Sequence, residues 1–134
     1  MVDILNPSLD PSKLSIKEKI ELVRQSDGLL VDILPEGLKI CDLDLERCSS
    51  LTHLPEGLWV GMNLYLSGCS SLTHLPEGLE VGRSLYLNGC SSLTHFPEGL
   101  KVGRNLYLIG CSSLPFKTEK DIPKSVNIRG GIIW

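Results

Sequence analysis

Leucines and valines alternate with polar residues in short bursts along this chain, and the bursts recur at a fixed interval. Two near-identical stretches show it best, LPEGLWVGMNLYLSGCSSLTH (Leu54–His74) and LPEGLEVGRSLYLNGCSSLTH (Leu75–His95). They differ only at Trp59/Glu80, Met62/Arg83, Asn63/Ser84 and Ser67/Asn88. In phase with them run Leu43/Leu64/Leu85/Leu106, Leu45/Leu66/Leu87/Leu108, Cys48/Cys69/Cys90/Cys111 and Leu51/Leu72/Leu93/Leu114. The x-Leu-x-Leu-x segment has the two-residue period of a strand with one buried face. Leu-Pro-Glu-Gly-Leu cannot prolong such a strand, because Pro lacks an amide donor and Gly favours a turn. Each 21-residue unit therefore reads as one coil. It holds a strand, a turn at Gly-Cys-Ser-Ser, a return through Leu-Thr-His-Leu-Pro, and a second turn near Val-Gly. A single coil cannot bury its own leucines, so the coils must stack into a solenoid.

The return segment carries Leu34/Leu54/Leu75/Phe96, then Pro35/Pro55/Pro76/Pro97 and Leu38/Leu58/Leu79/Leu100. One residue is missing between Leu38 and Leu43, which makes that coil 20 residues long. At the far end Ile122–Gly131 is expected to form a shortened coil. In it Val126 and Ile128 would replace the strand leucines and Gly131 the cysteine. Five strands stacked about 4.8 Å apart make a parallel sheet roughly 20 Å wide.

An open solenoid exposes core leucines and unpaired strand edges, so its ends need covers. Ser15-Ile16-Lys17-Glu18 has the form of a capping box, Ile16, Ile20 and Val23 share a helical face, and Gly28 offers a stop. A capping helix is expected over Ser15–Gln25, followed by an imperfect lead-in at Leu29–Ile33. Ile132-Ile133-Trp134 is expected to cover the other end, or to begin a further coil if the natural chain continues. The organisation predicted is thus an N-terminal cap (1–33), coils of about 21 residues (34–114), and a final shortened coil with a C-terminal cap (115–134).

The pattern LxLxxCxxLxxLPxxL, spanning Leu34 to Gly131, resembles leucine-rich repeats. The fit is closest to short bacterial repeats built on LPEGL, and GCSSL also resembles repeats of plant immune receptors. This chain has C-x-x-L where C-x-L is usual, and its leading apolar residue is Val60, Val81 or Val102, one place early. The resemblance implies an α/β solenoid: a right-handed coil, a short parallel sheet on the concave face, an irregular convex side and an N-terminal capping helix. It also implies a recognition module like the substrate-binding part of bacterial leucine-rich-repeat effectors, without any ligase domain. Its cysteines are expected to turn inward and bond to backbone carbonyls.

Composition narrows the class. With 42% hydrophobic and 22% charged residues in a 134-residue chain, one soluble domain is expected rather than a disordered segment. A net charge of −3 without a Lys/Arg cluster points away from nucleic acid and anionic membrane. No apolar run approaches a bilayer span, and MVDILNPSLDP lacks a basic flank before an apolar core, so a cytoplasmic protein is expected. Export as a bacterial effector by an uncleaved signal would leave no trace here. The five cysteines fit a reducing compartment.

Two ladders invite chemistry. The cysteines recur every 21 residues, which matches no zinc spacing, and no CxxC occurs, so they read as small buried hydrophobes. Cys41 stands outside the ladder, opposite Gly61, Gly82 and Gly103, and is the expected exposed thiol. His53/His74/His95 could bind a metal or titrate together. A copied unit, however, copies idle residues too, and the same holds for Glu36/Glu56/Glu77/Glu98. Gly78–Ser84 resembles a phosphate loop only superficially: it is one residue short, has Arg for Lys, and recurs with the repeat. No nucleophile elbow, HExxH or unrepeated carboxylate pair occurs. Neither catalysis nor a cofactor is expected.

There remains the outward strand face, in three columns. The first is Asp42/Asn63/Ser84/Asn105/Ser125, the central one Asp44/Tyr65/Tyr86/Tyr107/Asn127, and the third Glu46/Ser67/Asn88/Ile109/Arg129. All three tyrosines stand in the central column. Tyr supplies rigid contact area with a hydroxyl handle and is enriched at interfaces, yet it is also a good strand residue that packs on its neighbours. The outer columns vary between coils while the inward leucines do not. Tyr65, Tyr86 and Tyr107 with Asp44, Asn63, Asn88 and Asn105 are therefore expected to bind a protein or peptide, with the chain a monomer. The alternatives are an idle repeat protein and, last, metal binding by the histidines. Trp59 either anchors a partner on the outer side or rests on Met62.

Overall fold

Short alternating segments between obligatory turns can only make short strands, and every strand here has two residues in ladder pairing. The computed structural model describes residues 10–116 and 118–134. Each coil contributes two strands. They are β1 (Lys39–Ile40) and β2 (Leu43–Asp44), β3 (Trp59–Val60) and β4 (Leu64–Tyr65), β5 (Glu80–Val81) and β6 (Leu85–Tyr86). Then come β7 (Lys101–Val102) and β8 (Leu106–Tyr107), and finally β9 (Asn127–Ile128) and β10 (Ile132–Ile133). The odd-numbered strands form one five-stranded parallel sheet, the leading sheet. The even-numbered strands form a second, the tyrosine sheet. The protein is a β-solenoid with parallel sheets and, among the described residues, one α-helix. None of its helices is long and apolar enough to cross a membrane among the described residues.

The leading sheet lies where a turn near Val-Gly was expected, on a side expected to be irregular. Val60, Val81 and Val102 are buried strand residues, and the turn comes at the glycine after them. A strand two residues long is below the length at which a period of two can be read, so only the ladder reveals it.

Register corrects the final coil. Asn127 pairs with Lys101, Ile128 with Val102, Ile132 with Leu106 and Ile133 with Tyr107, so this coil is 26 residues long rather than shortened. The added length precedes the strands and includes a 3-10 turn at Glu119–Asp121, capped by Thr118. Val126 and Ile128 therefore replace Leu100 and Val102, not the strand leucines, and Gly131 stands beside Asn105, not in the cysteine column. Ile132-Ile133, expected as an end cover, is the fifth strand of the tyrosine sheet. The error has a simple source: Val126-Asn127-Ile128 has the spacing of Leu-x-Leu but also that of Leu100-Lys101-Val102.

The one-residue deletion is where the sequence put it. Lys39 pairs with Trp59, 20 residues on, and Leu43 with Leu64, 21 on. The lost residue is the corner position held by Met62, Arg83 and Arg104 in later coils. Inside the coils, Leu43, Leu45, Leu64, Leu66, Leu85 and Leu87 are wholly buried and form one continuous core. Burying such a side chain stabilises by roughly 1.5–3 kcal/mol, so the stack supplies what one coil lacks.

The capping helix α1 spans Ile16–Gln25. The Ser15 hydroxyl accepts from the Glu18 amide (3.2 Å), and Glu18 Oε1 accepts from the Ser15 amide (3.1 Å). Leu22 and Val23 are buried, and Val23 packs into the core of the coils. At the helix end Asp27 and Gly28 take positive φ, 58° and 94°. The Asp27 carboxylate then accepts from the Ser49 amide (3.0 Å) and from the Ser49 and Ser50 hydroxyls, stitching the cap to the first Cys-Ser-Ser turn. These bonds from Ser49 hold the Asp27 carboxyl below the usual carboxylate range.

Two glycine columns serve different ends. Gly37, Gly57, Gly78 and Gly99 have φ of 69–74°, the third position of the Pro-Glu-Gly-Leu turn. Gly61, Gly82 and Gly103 have no positive φ but have close neighbours: a Cβ on Gly61 would meet the Trp59 ring, and one on Gly82 would run into the carbonyl oxygen of Gly61. Gly78→Ala, with open space around it, is expected to cost about 1–2 kcal/mol in urea unfolding. Gly82→Ala is expected to cost several times as much, because backbone has no room to yield. Asp27→Asn is expected to destabilise at neutral pH, since a depressed carboxyl stabilises fully above its unfolded value of about 3.9. As pH falls through the folded value, the wild-type advantage should vanish and the two denaturation midpoints converge.

Candidate interaction surface

In-register parallel pairing puts like residues side by side, and the tyrosine column shows the result. The rings of Tyr65 and Tyr86 are 4.9 Å apart and tilted by 12°, and those of Tyr86 and Tyr107 are 4.6 Å apart and tilted by 5°. This is the spacing of the strands themselves, about 4.8 Å. Each ring covers a neighbour's face, so the stack presents edges and hydroxyls outward, all three residues being half-buried. Burial among the neighbouring rings pushes the Tyr86 phenol up, and ionisation of Tyr107 or Tyr65 would push it further. Asp44 extends the column at one end and Ile133, not Asn127, at the other.

The first column is tied into the backbone. The Asn63 amide donates to Asp42 Oδ1 (3.0 Å), the Ser84 amide to Asn63 Oδ1 (3.0 Å), the Asn105 amide to Ser84 Oγ (3.4 Å), and the Gly131 amide to Asn105 Oδ1 (2.9 Å). These side chains receive the amides at the corner, where the strand ladder has not begun. Gly131 takes the fifth place expected for Ser125. In the third column Asn88 Oδ1 accepts from the Ile109 amide (2.9 Å), and Asp44 Oδ1 accepts from the Glu46 amide (3.0 Å). Asn63, Asn88, Asn105 and Asp44 thus share the face with the tyrosines but each already holds a backbone amide. Arg129 is not on this face: it follows β9 in the leading sheet.

The cysteine ladder turns inward. Cys69 Sγ donates to the Leu45 carbonyl (3.1 Å), Cys90 to Leu66 (3.2 Å) and Cys111 to Leu87 (3.0 Å), each in the preceding coil. Burial pushes the Cys69 thiol up to about 12 and raises Cys48, Cys90 and Cys111 as well. A thiol so held is a poor nucleophile and a poor metal ligand, because both roles need the thiolate. All five cysteines are free, and Cys41 is exposed.

The histidines are engaged locally. The Nδ1 atoms of His53, His74 and His95 lie 2.9–3.0 Å from the hydroxyls of Thr52, Thr73 and Thr94. His53 Nε2 is 2.7 Å from Asp32 Oδ1. Among the described residues no group of three His, Cys, Asp or Glu side chains is placed to hold a metal ion.

The Trp59 ring lies over Gly61, with its indole N–H donating to Glu80 Oε2 (3.2 Å) and Lys101 Nζ 3.3 Å from Glu80 Oε1. This row lies on the outer face of the leading sheet, a surface that reading the sequence in single strands passed over. The signal was present in Lys39/Trp59/Glu80/Lys101, a variable column between an invariant leucine and a column of isoleucine or valine. Compared with protein-family models, curated proteins and solved structures, the chain matches none of them.

With a thiol reagent at pH 8 the native protein is expected to react at Cys41 alone, and at all five cysteines once denaturant is added. Rapid native labelling of Cys69 or Cys90 would show the ladder to be open.

Proposed function

We propose that this protein is a non-enzymatic binding module that holds a protein or peptide against the tyrosine sheet. The observation that carries this reading is the half-exposed stack of Tyr65, Tyr86 and Tyr107, a rigid aromatic comb flanked by side chains that change from coil to coil. Aromatic stacking contributes about 0.5–1.5 kcal/mol per pair, which accounts for rigidity but does not require the varied flanks. Pre-ordered aromatic area loses little entropy when a partner docks. The backbone amides already held by Asn63 and Asn88 leave these residues their NH2 groups for a partner, Asn105 Nδ2 donates to the Tyr107 hydroxyl (3.5 Å), and Asp44 keeps its second carboxylate oxygen. The exposed Asp42, Asp44 and Glu46 make one end of the face acidic.

Membership of the leucine-rich-repeat class is part of the proposal, supported by the consensus and by the cysteine-to-carbonyl bonds. The short LPEGL units support a bacterial source. A non-catalytic role is supported by protonated, hydrogen-bonded thiols and by imidazoles tied to threonine. Five free thiols support a cytoplasmic, reducing location, and an outward face that varies from coil to coil supports a monomer.

The test begins by capturing a partner on the immobilised protein and titrating that partner, once purified, by calorimetry. Tyr86→Ala is expected to weaken binding about tenfold or more, in the range of interface hot spots, and the triple Tyr→Ala variant to abolish it. Undiminished affinity in a triple variant that still melts cooperatively would refute the proposal. Failure of any partner to bind reproducibly would favour a stack that serves only the sheet.

A further inference from the structure

The outer face of the leading sheet takes no part in that reading, and it holds a groove of about 410 Å³. The floor of the groove is the glycine column, and its emptiness is enforced. A Cβ on Gly82 would collide with the Gly61 carbonyl oxygen, and one on Gly103 with that of Gly82. No side chain can grow from Gly82 or Gly103 to fill the trough. One coil earlier the trough is nevertheless occupied: the indole carbons Cζ3 and Cη2 of Trp59 lie 3.1 Å from where a Gly61 Cβ would stand. Register places Glu80 and Lys101 in the column of Trp59 in the next two coils. Gly82 and Gly103 therefore offer the same bare floor without a ring of the protein's own.

Charge fixes the rest of the site. Glu80 accepts from Trp59 at one oxygen and lies against Lys101 at the other, so its carboxylate is already satisfied within the row. Arg129 lines the far end of the groove and forms no ion pair among the described residues. The lining thus sets Lys101 and Arg129 against Glu80, an excess of positive charge in a chain whose net charge is −3.

We propose that this groove binds a planar aromatic molecule carrying one carboxylate or phosphate. The ring lies on Gly82 and Gly103 as the Trp59 indole lies on Gly61, and the anion meets Arg129 and Lys101. A guanidinium fork donates two parallel hydrogen bonds to either oxyanion. The site is on a different sheet from the tyrosines, so it stands or falls independently of them.

The test titrates the 15N-labelled full chain with 2-naphthoate, 2-naphthyl phosphate and the neutral 2-naphthamide. The amides of Gly82 and Gly103 are followed by NMR, and Trp59 fluorescence is followed in a Trp134→Phe background. At least one anion is expected to shift both glycine amides and to bind about tenfold more tightly than the amide, the usual scale of a charge-assisted contact. Arg129→Gln should remove that preference. Lys101→Trp, which lays a ring over Gly103 as Trp59 does over Gly61, should abolish binding while the melting temperature holds. Equal affinity for the neutral amide, unchanged Gly82 and Gly103 shifts with all three probes, or full binding by Lys101→Trp would overturn the proposal.

Discussion

The constraint on which everything else depends is the backbone ladder between successive coils. Leu43 donates to Asn63, Leu64 to Ser84 and Leu85 to Asn105, and the same relation repeats along both sheets. Parallel strands about 4.8 Å apart leave each residue directly beside its counterpart in the next coil. Whatever occupies a column must therefore tolerate itself as a neighbour at that distance. Leucine does so by packing, tyrosine by stacking its ring at 4.6–4.9 Å, and cysteine by donating to the coil before it. Asparagine and serine do so by accepting the next coil's amide. Like charges directly opposite one another are disfavoured, and the Lys39/Trp59/Glu80/Lys101 column of the leading sheet alternates in sign around its tryptophan.

A ladder must also begin somewhere. At β2 the strand edge is blunted by Asp42, Asp44 and Glu46, with Asp44 taking up the Glu46 amide that would otherwise point into solvent. Helix α1 covers the core behind it, and Asp27 locks that helix to the first turn. The fit there is close: a Cβ on Gly28 would stand 2.6 Å from that of Leu51. At β9 and β10 the contrast is plain, for Ile128 and Ile132 are half-buried where Val102 and Leu106 are buried. The apolar columns thus continue through the last coil with less cover than in the middle.

How much of this was legible depended on whether a feature spans enough residues to leave a pattern. The solenoid, the buried leucines, the capping box at Ser15 and Glu18, and the inward cysteines each impose residue types at fixed spacing. The leading sheet does not, since a strand of two residues such as Trp59–Val60 cannot show alternation. The last coil failed for another reason: Val-x-Ile fits two places in the repeat, and only the hydrogen bonds to Leu100 and Val102 choose between them. The tyrosine stack was legible as a column. The occupation of Asn63, Asn88 and Asn105 by backbone amides was not, because an asparagine facing solvent and one receiving an amide look alike in sequence.

The first coil shows which repeated residues are imposed by neighbours and which by their own backbone. Among the described residues Cys41 opens, on the edge strand β1, the column that continues as Gly61, Gly82, Gly103 and Arg129. At Gly82 and Gly103 the glycine is imposed by the carbonyl of the coil before, and at Gly61 by the Trp59 ring. Arg47 stands in the column of Gly68, Gly89 and Gly110, and its φ of 63° keeps it in the same left-handed region, where they stand at 77–82° with less strain. The turn demands that conformation whether or not a neighbour exists. Invariance along the repeat is thus explained, column by column, by contact or by backbone geometry. The outward positions are bound more loosely, since receiving the next coil's amide can be done by Asn63, Ser84 or Asn105 alike. There the copies can differ, and at the tyrosine flanks and in the row from Lys39 to Asn127 they do.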